Sequence, residues 1–427
     1  MADILPFKAF RYNHILGKNL KELTAPLTET ILQQKHEIFY QKPFHYYHIS
    51  SPIDTPPFQN AQRRVENWKL DKVINQDTLP AIYVYYHYFH LKDSDKTYCR
   101  KGFIAFIKAC EYKEKVILPH ELTIQKAVEY REALLENMLM HTIPTHGFYT
   151  DEAQSVEKYL EEAIAVPLYE ITDNDGVIHK LGRIHDKKVI NQFILALKDK
   201  QVWIADGHHR YESSVHFRKH KMRYQKEENP KSAFNYHMMW LTNTKSSDLG
   251  VFPTHRIVHS LENFDKKDFL QRLSIYFDIK EIEKSKEMGL APTENLWTFL
   301  LIFQDKNYQI QLKKEAFESF EAEQPKEVKE LDVSVMHYFI LEKSLGLKEQ
   351  MLFDYLDFSQ YLSKCYAMVN SGEAQFAILT RKITLEEIEK VCLSGDTMPA
   401  KATYFYPKVL GGLVFGSMHD NEFEYFS

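Results

Sequence analysis

The chain has 427 residues, of which 44% are hydrophobic and 26% charged, a globular mixture long enough for two or three domains. Its net charge of −5 gives no basic surface, which argues against a nucleic-acid-binding protein. It has no secretory signal, no apolar run near the roughly 18 residues of a membrane helix and no C-x-x-C among its four cysteines. We therefore expect a cytoplasmic protein with reduced thiols and no membrane partner.

The N-terminal half predicts short elements followed by a hairpin and two helices. Residues 1–60 hold six of the 16 prolines, which favours loops and short helices laid over a domain. The β-branched and aromatic runs at 79–90 and 102–110 predict a β-hairpin. Apolar spacing predicts helices over 123–141 and 151–165, the second capped by Thr150.

The next elements are a second hairpin and further strands. Two strand-like runs between 168 and 184 flank Asp173, Asn174, Asp175 and Gly176, and the sequence lacks the acidic twelfth residue of a calcium loop. A hairpin is therefore predicted there. Further strands are predicted at 234–241 and 255–258, and an auxiliary α/β region of Lys/Glu-rich helices and short apolar runs at about 260–395.

The stretch from Val202 to Glu212 combines a short apolar strand with concentrated charge. Its first four residues predict a buried strand, Gly207 a sharp turn, and residues 211–220 a helix. Free N–H groups and the dipole at a helix start favour an anion, and His208, His209 and Arg210 would add side-chain donors. The stretch predicts a phosphate or carboxylate site, with Asp206 beside it.

Three further segments carry candidate functional groups. Glu121 beside His120 at a helix start offers a base or a metal ligand, and Thr123 a hydroxyl, although ordinary capping uses the same residues. Residues 253–256 form a His/Arg cluster, and 398–412 concentrate turn formers and lysines that suit either an anion site or a terminal hairpin. The Walker, dinucleotide-binding, kinase H-R-D and G-x-S-x-G motifs are absent.

Six segments, taken in order, resemble the DUF1015 family over nearly the full chain. They are Ile4–Tyr12, Arg100–Ile104, His120–Thr123, Ile204–Glu212, Pro253–Arg256 and Met398–Lys408. Around D-G-H-H-R, that family resembles the free-serine kinases of the ParB/sulfiredoxin-like superfamily. The resemblance implies an α+β fold with a ParB/sulfiredoxin-like mixed-sheet core over 1–260, the auxiliary α/β region over 261–395, and a C-terminal segment, 396–427, that returns to the core.

The resemblance also implies a function: transfer of a phosphoryl group from pyrophosphate or a nucleotide to the hydroxyl of free L-serine, with Mg²⁺. A ParB-like nucleotide or nucleic-acid module and a metal-dependent phosphoesterase are the alternatives. The implied catalytic residues are Asp206, also a metal ligand, with His209, Glu121 and His120. The implied phosphate-binding residues are His208, His209, Arg210, His255, Arg256, Lys401 and Lys408. The implied substrate-binding residues are Thr123, Arg100 and Glu29. The chain lacks the A-P-P-Y-D-V segment common in the family, so either Glu29 replaces its aspartate or the acceptor site has changed.

Overall fold

The computed structural model describes residues 2–27, 37–90, 96–224, 229, 232–246, 248, 250–283, 295–321, 323–348, 351–399 and 401–423. Glu29 lies outside these residues, so its predicted role stays a prediction. The chain forms two compact units. The first unit comprises Met1–Pro119, Thr123–Leu249 and Pro407–Ser427, and the second unit comprises His120–Leu122 and Gly250–Tyr406. The sequence places its boundaries differently, after 260 and after 395. No helix within the described ranges is long and apolar enough to cross a membrane.

The first unit is built on a mixed nine-stranded sheet. Its order is Tyr169–Thr172, Ile178–Ile184, Ile82–His90, Thr97–Lys108, Tyr236–Asn243, Thr145–Tyr149, Val202–Asp206 and Ile117–Leu118, with Ile4–Leu5 also pairing to Thr97–Lys108. The pairings of Thr145–Tyr149 with Tyr236–Asn243 and of Val202–Asp206 with Ile117–Leu118 are parallel, and the others are antiparallel. The predicted α+β class with a mixed-sheet core is confirmed.

Alternation along the central strands gives this sheet a hydrophobic core on each face. Successive side chains of a strand point to opposite faces. Tyr83 and Tyr85 therefore pack into one core cluster, whereas Ile82 and Val84 pack into the other. Both predicted hairpins are confirmed: Ile82–His90 pairs with Thr97–Lys108, and Tyr169–Thr172 pairs with Ile178–Ile184. In the second hairpin, Asp173 Oδ1 accepts the backbone N–H groups of Asp175 and Val177.

Helices cover both faces of the sheet. The first unit includes the α-helices Tyr47–Ser50, Pro57–Leu70, Gln125–Met138, Glu157–Ile164, Lys187–Leu197 and His208–Tyr224, and residues 37–40 are also helical. Short 3₁₀ helices span Leu16–Glu22, Tyr112–Glu114 and Ala233–Asn235. The predicted helix at 123–141 is confirmed and ends where Leu139 adopts φ +47°. The predicted start at Asp151 is wrong, because its carboxylate accepts the N–H and Oγ–H of Ser155, which holds a turn.

Three small two-stranded sheets attach chain segments to this core. Phe10–Tyr12 pairs with Ile74–Gln76, Leu410–Gly411 with Ala25–Pro26, and Gly416–Ser417 with Met140–His141. The prediction of loops and helices for residues 1–60 is therefore incomplete, since this segment also contributes strands. The N-terminal strand is further fixed by Arg11, whose guanidinium binds the Asp77 carboxylate at 2.5 Å, and Asp77 also accepts the Tyr83 hydroxyl at 2.7 Å.

The second unit contains an antiparallel sheet with helices, as predicted for an α/β region. Its order is Phe277–Ile282, Asn307–Leu312, Thr298–Ile302, Phe376–Leu379, His255–Val258 and Leu356–Ser359. Val251–Phe252 pairs with Tyr404–Phe405. The helices are Lys266–Tyr276, Lys314–Glu318, Lys326–Lys329, Asp332–Val335, Met336–Ser344, Leu352–Tyr355, Leu362–Ser371 and Leu385–Ser394.

Candidate anion-binding site

A β-bulge directs Asp206 at the end of its strand. Trp203 pairs with Phe148 and Ile204 with Gly147, but Asp206, not Ala205, is opposite His146. One extra residue in a strand re-aims the side chains that follow it. The strand is buried through Ala205, and the Asp206 side chain keeps 25% exposure. The predicted strand and turn are confirmed, and the chain passes directly from this carboxylate into a helix.

Gly207 is required by its backbone and by the space that Arg210 occupies. Its φ of +97° is a conformation that L side chains rarely adopt. A Cβ at this position would lie 2.6 Å from Nη2 and 2.8 Å from Cζ of Arg210. The guanidinium therefore folds back beneath the glycine. There it donates to Asp206 Oδ2 at 2.9 Å and to the Pro144 carbonyl at 2.6 Å.

Asp206 holds a second cation from the far end of the chain. The Lys408 ammonium donates to Asp206 Oδ1, so each carboxylate oxygen has its own cationic partner. Burial would raise the pKa of Asp206, but the charges of Lys408 and Arg210 outweigh it and hold that pKa well below its usual range. Asp206 is therefore ionised at neutral pH and is a weak base.

Arg100 adds a third positive charge and positions Lys408. Its side chain is fully buried, and Nη1 donates to the Pro407 carbonyl at 3.1 Å, one residue before Lys408. Burial lowers the pKa of Arg100 to about 9, with the Asp206 charge opposing the shift, so Arg100 stays charged at pH 7. Three cations thus surround one carboxylate, and the site keeps a net positive charge.

The helix start supplies further polar groups. The predicted helix is confirmed but begins at His208, because the Tyr211 N–H already bonds to the Gly207 carbonyl at 3.0 Å. Nε2 of His209 accepts the Ile124 N–H at 2.9 Å, and Thr123 Oγ1 donates to Glu212 Oε2 at 2.5 Å. A 17-residue helix that starts beside three cations suits an oxyanion such as phosphate.

The other sequence-predicted residues belong to the second unit. Nε2 of His120 lies 2.9 Å from Thr403 Oγ1, and Glu121 bridges to the backbone of Met398. Nδ1 of His255 accepts the Thr380 N–H at 3.2 Å, and burial lowers the pKa of His255 to about 4. The guanidinium of Arg256 donates to the carbonyls of Thr254 and Lys401. The functional roles assigned to these residues stay predictions.

Asp206 is the residue predicted to bind a metal ion, and its two carboxylate oxygens determine whether the site fits one. In the part of the chain that the structure describes, no three His, Cys, Asp or Glu side chains are grouped to hold a metal. Both Asp206 oxygens are already engaged by cations. Mg²⁺ is commonly held by one or two carboxylates and by substrate phosphates. The described residues around Asp206 therefore do not form a magnesium cage by themselves, and substrate phosphates would have to supply the remaining ligands.

Sequence reasoning missed His146, which the sheet places opposite Asp206. Its ring stacks on Trp240 with centroids 4.4 Å apart, and Nε2 lies 2.9 Å from Thr242 Oγ1. Burial, and then the charge of Arg100, lower the pKa of His146 well below its ordinary value, so the ring is neutral. Only the strand pairing reveals this neighbour, because Thr145–Tyr149 carries no local motif.

The fold is that of an α+β protein in which Arg210 and Lys408 bind the Asp206 carboxylate at the start of a helix. The chain belongs to the family described as "Protein of unknown function (DUF1015)", which matches residues 4–334. No curated protein matches it.

Solved structures that are similar to this chain include three proteins. "Free serine kinase in complex with AMP" is 15% identical, with 72% of this chain and 90% of that chain covered and a TM-score of 0.36. A conserved hypothetical protein from Pyrococcus furiosus is 14% identical, with 72% and 94% covered and a TM-score of 0.35. SbnI from Staphylococcus aureus, with a C-terminal truncation, is 12% identical, with 73% and 86% covered and a TM-score of 0.34.

Proposed function

We propose that the protein is a small-molecule kinase that transfers a phosphoryl group from pyrophosphate or a nucleotide to the hydroxyl of free L-serine. The observation that carries the proposal is the grouping of Arg100, Arg210 and Lys408 around Asp206 at a helix start. The resemblance of the DUF1015 family to free-serine kinases around the D-G-H-H-R segment, here Asp206–Arg210, supports the serine acceptor. Phosphoryl transfer depends mainly on positioning and on neutralising phosphate charge, which this group of cations supplies.

In the proposed reaction, the serine hydroxyl oxygen attacks the terminal phosphorus, and the bond from that phosphorus to the donor's bridging oxygen breaks. The leaving group is phosphate when pyrophosphate is the donor, and the nucleotide with one phosphate fewer when a nucleotide is the donor. Lys408, Arg210 and the first N–H groups of helix His208–Tyr224 would hold the donor oxygens. The low pKa of Asp206 suits a residue that positions these cations better than one that accepts the hydroxyl proton. Glu121 and His120 stay the predicted bases, and Mg²⁺ the predicted cofactor.

The test is ³¹P NMR of purified protein with Mg²⁺, L-serine and pyrophosphate, ADP or ATP. We expect an O-phosphoserine signal from the wild-type protein and none from D206N or H209A, with circular dichroism unchanged. R218M is the matched control, because Arg218 lies on the same helix as Arg210 but binds Asn235 and the Ala109 carbonyl. Absence of O-phosphoserine with every donor would refute the kinase. Pyrophosphate hydrolysis without serine would instead indicate a phosphoesterase.

A further inference from the structure

A cavity with both polar and apolar lining lies within the first unit, and Arg210, the partner of Asp206, is one of its lining residues. It has a volume of about 50 Å³ and lies among helix Gln125–Met138, residues 140–143 and helix His208–Tyr224. Its polar lining comprises Arg131, His141, Thr142, Arg210, Ser213 and Ser214, with His237 behind them. None of the described residues that line it is acidic. The Arg210 charge is matched by Asp206 outside this lining, so Arg131 brings the positive charge that has no carboxylate partner among the described residues.

Two guanidinium groups contribute positive charge to the lining. Arg210 lines the cavity while it holds Asp206. Arg131 donates from Nη1 to the Ser50 carbonyl at 2.7 Å and forms no ion pair with any residue in the described ranges. Burial lowers the pKa of Arg131, and the charge of Arg210 lowers it further. Burying two like charges costs free energy that a bound anion would offset.

His141 adds a hydrogen-bond acceptor to the same cavity. The side chain is 7% exposed, and within the described residues its Nε2 has no hydrogen-bond partner. Burial lowers the pKa of His141 to about 4, and a hydrogen bond to the Tyr236 backbone opposes that shift. A bond that raises a histidine pKa is one the ring donates, so Nδ1 donates to the carbonyl. The neutral ring then keeps its lone pair on Nε2.

We propose that this cavity binds the head group of an α-amino acid, with the carboxylate held by Arg131 and Arg210 and the ammonium donating to Nε2 of His141. The inference rests on the proposed function, since the amino acid would be the phosphoryl acceptor. Arg210 touches both the cavity and Asp206, so the bound amino acid lies one guanidinium away from the proposed phosphate site. The small volume suits a head group and excludes a nucleotide base.

Calorimetric titration of the full chain tests the binding directly, without turnover. We expect R131M to weaken L-serine binding about 10- to 100-fold, the loss of charge-assisted hydrogen bonds to a carboxylate. L-Serine amide, which lacks the carboxylate, should bind the wild-type protein weakly and should not respond to R131M. H141Q should weaken L-serine but not acetate, which has no ammonium. R218M should bind L-serine as the wild-type protein does.

The outcomes separate this inference from the proposed kinase. Unchanged serine binding by R131M, or weakening of phosphate binding in place of serine binding, would overturn the amino-acid site. Arg131-dependent serine binding without O-phosphoserine would sustain the site and refute the kinase. O-phosphoserine formation with the same KM for serine in R131M would sustain the kinase and refute the site. If R131M does not fold, R131K and H141Q give the same comparison. R131K keeps the positive charge but loses the paired N–H groups with which a guanidinium binds a carboxylate.

Discussion

Replacing Gly207 with alanine would separate the cost of its backbone conformation from the cost of displacing Arg210. An L residue at φ +97° carries about 1–2 kcal/mol of strain. The new methyl group, 2.6 Å from Nη2, would also push the guanidinium off Asp206, and charged hydrogen bonds contribute about 1.5–3 kcal/mol. We expect G207A to lower the free energy of unfolding by about 2.5–5 kcal/mol in total.

Gly176 provides the matched control. It has φ +81°, and a Cβ there would have no atom within 4 Å. G176A should therefore cost only the backbone strain, about 1–2 kcal/mol. Urea unfolding followed by tryptophan fluorescence, to which Trp203, four residues before Gly207, contributes, measures both. When Arg210 is already replaced by alanine, the G207A substitution should cost no more than G176A does. A double-mutant cycle with R210A measures this difference. Equal costs for the two glycine variants, unaltered by R210A, would refute the reasoning.

Three further predictions concern buried polar groups. Y211F removes a buried hydroxyl that donates to the Cys110 carbonyl at 2.8 Å and accepts its N–H at 2.9 Å, so it should cost about 1–3 kcal/mol in urea unfolding, whereas Y224F, at an exposed tyrosine of the same helix, should cost almost nothing. Burial opposes the shift, but the hydrogen bonds and charge of Arg11 hold the pKa of Asp77 below its usual value. The contribution of Asp77 to the free energy of unfolding is therefore present above its unfolded-state pKa and is lost as the pH falls through its lower folded-state pKa. A D77N variant with the same acid dependence of stability as the wild-type protein would contradict this. Burial raises the pKa of Asp332 to about 6 despite the Arg381 charge. The stability of the second unit should therefore fall as the pH rises from about 4 to 6. The D332N variant should lack that fall when unfolding is followed by tryptophan fluorescence, to which Trp297 contributes.

The sequence predicted the local elements of the site better than its assembly. The strand, turn and helix around Gly207 were predictable because β-branched residues, glycine and a polar helix start act within a few positions. Lys408 and Asp206 are 202 positions apart in the sequence. The family resemblance implied that both residues belong to the phosphate site, but it did not predict the ion pair between them.

The residues that sequence reasoning missed depend on packing between distant elements. His146 reaches Asp206 through a bulged strand register, and Arg131 lines the same cavity as Arg210 because helices Gln125–Met138 and His208–Tyr224 pack together. Neither residue is part of a motif, so spacing alone carries no signal for them. The helix predicted over 151–165 is present as Glu157–Ile164, and only its start was wrong, for a local reason: the side-chain bond between Asp151 and Ser155 competes with helical hydrogen bonding there.

The segment from Pro407 to Ser417 has a consequence for when the site comes into being. Pro407 accepts from Arg100, 307 positions earlier, and Lys408 neutralises Asp206. During translation, every other part of the phosphate site emerges from the ribosome before these residues do. A nascent or prematurely terminated chain would hold the Asp206 charge with Arg210 alone on its two oxygens. The proposed phosphate site is therefore complete only after synthesis has passed Lys408.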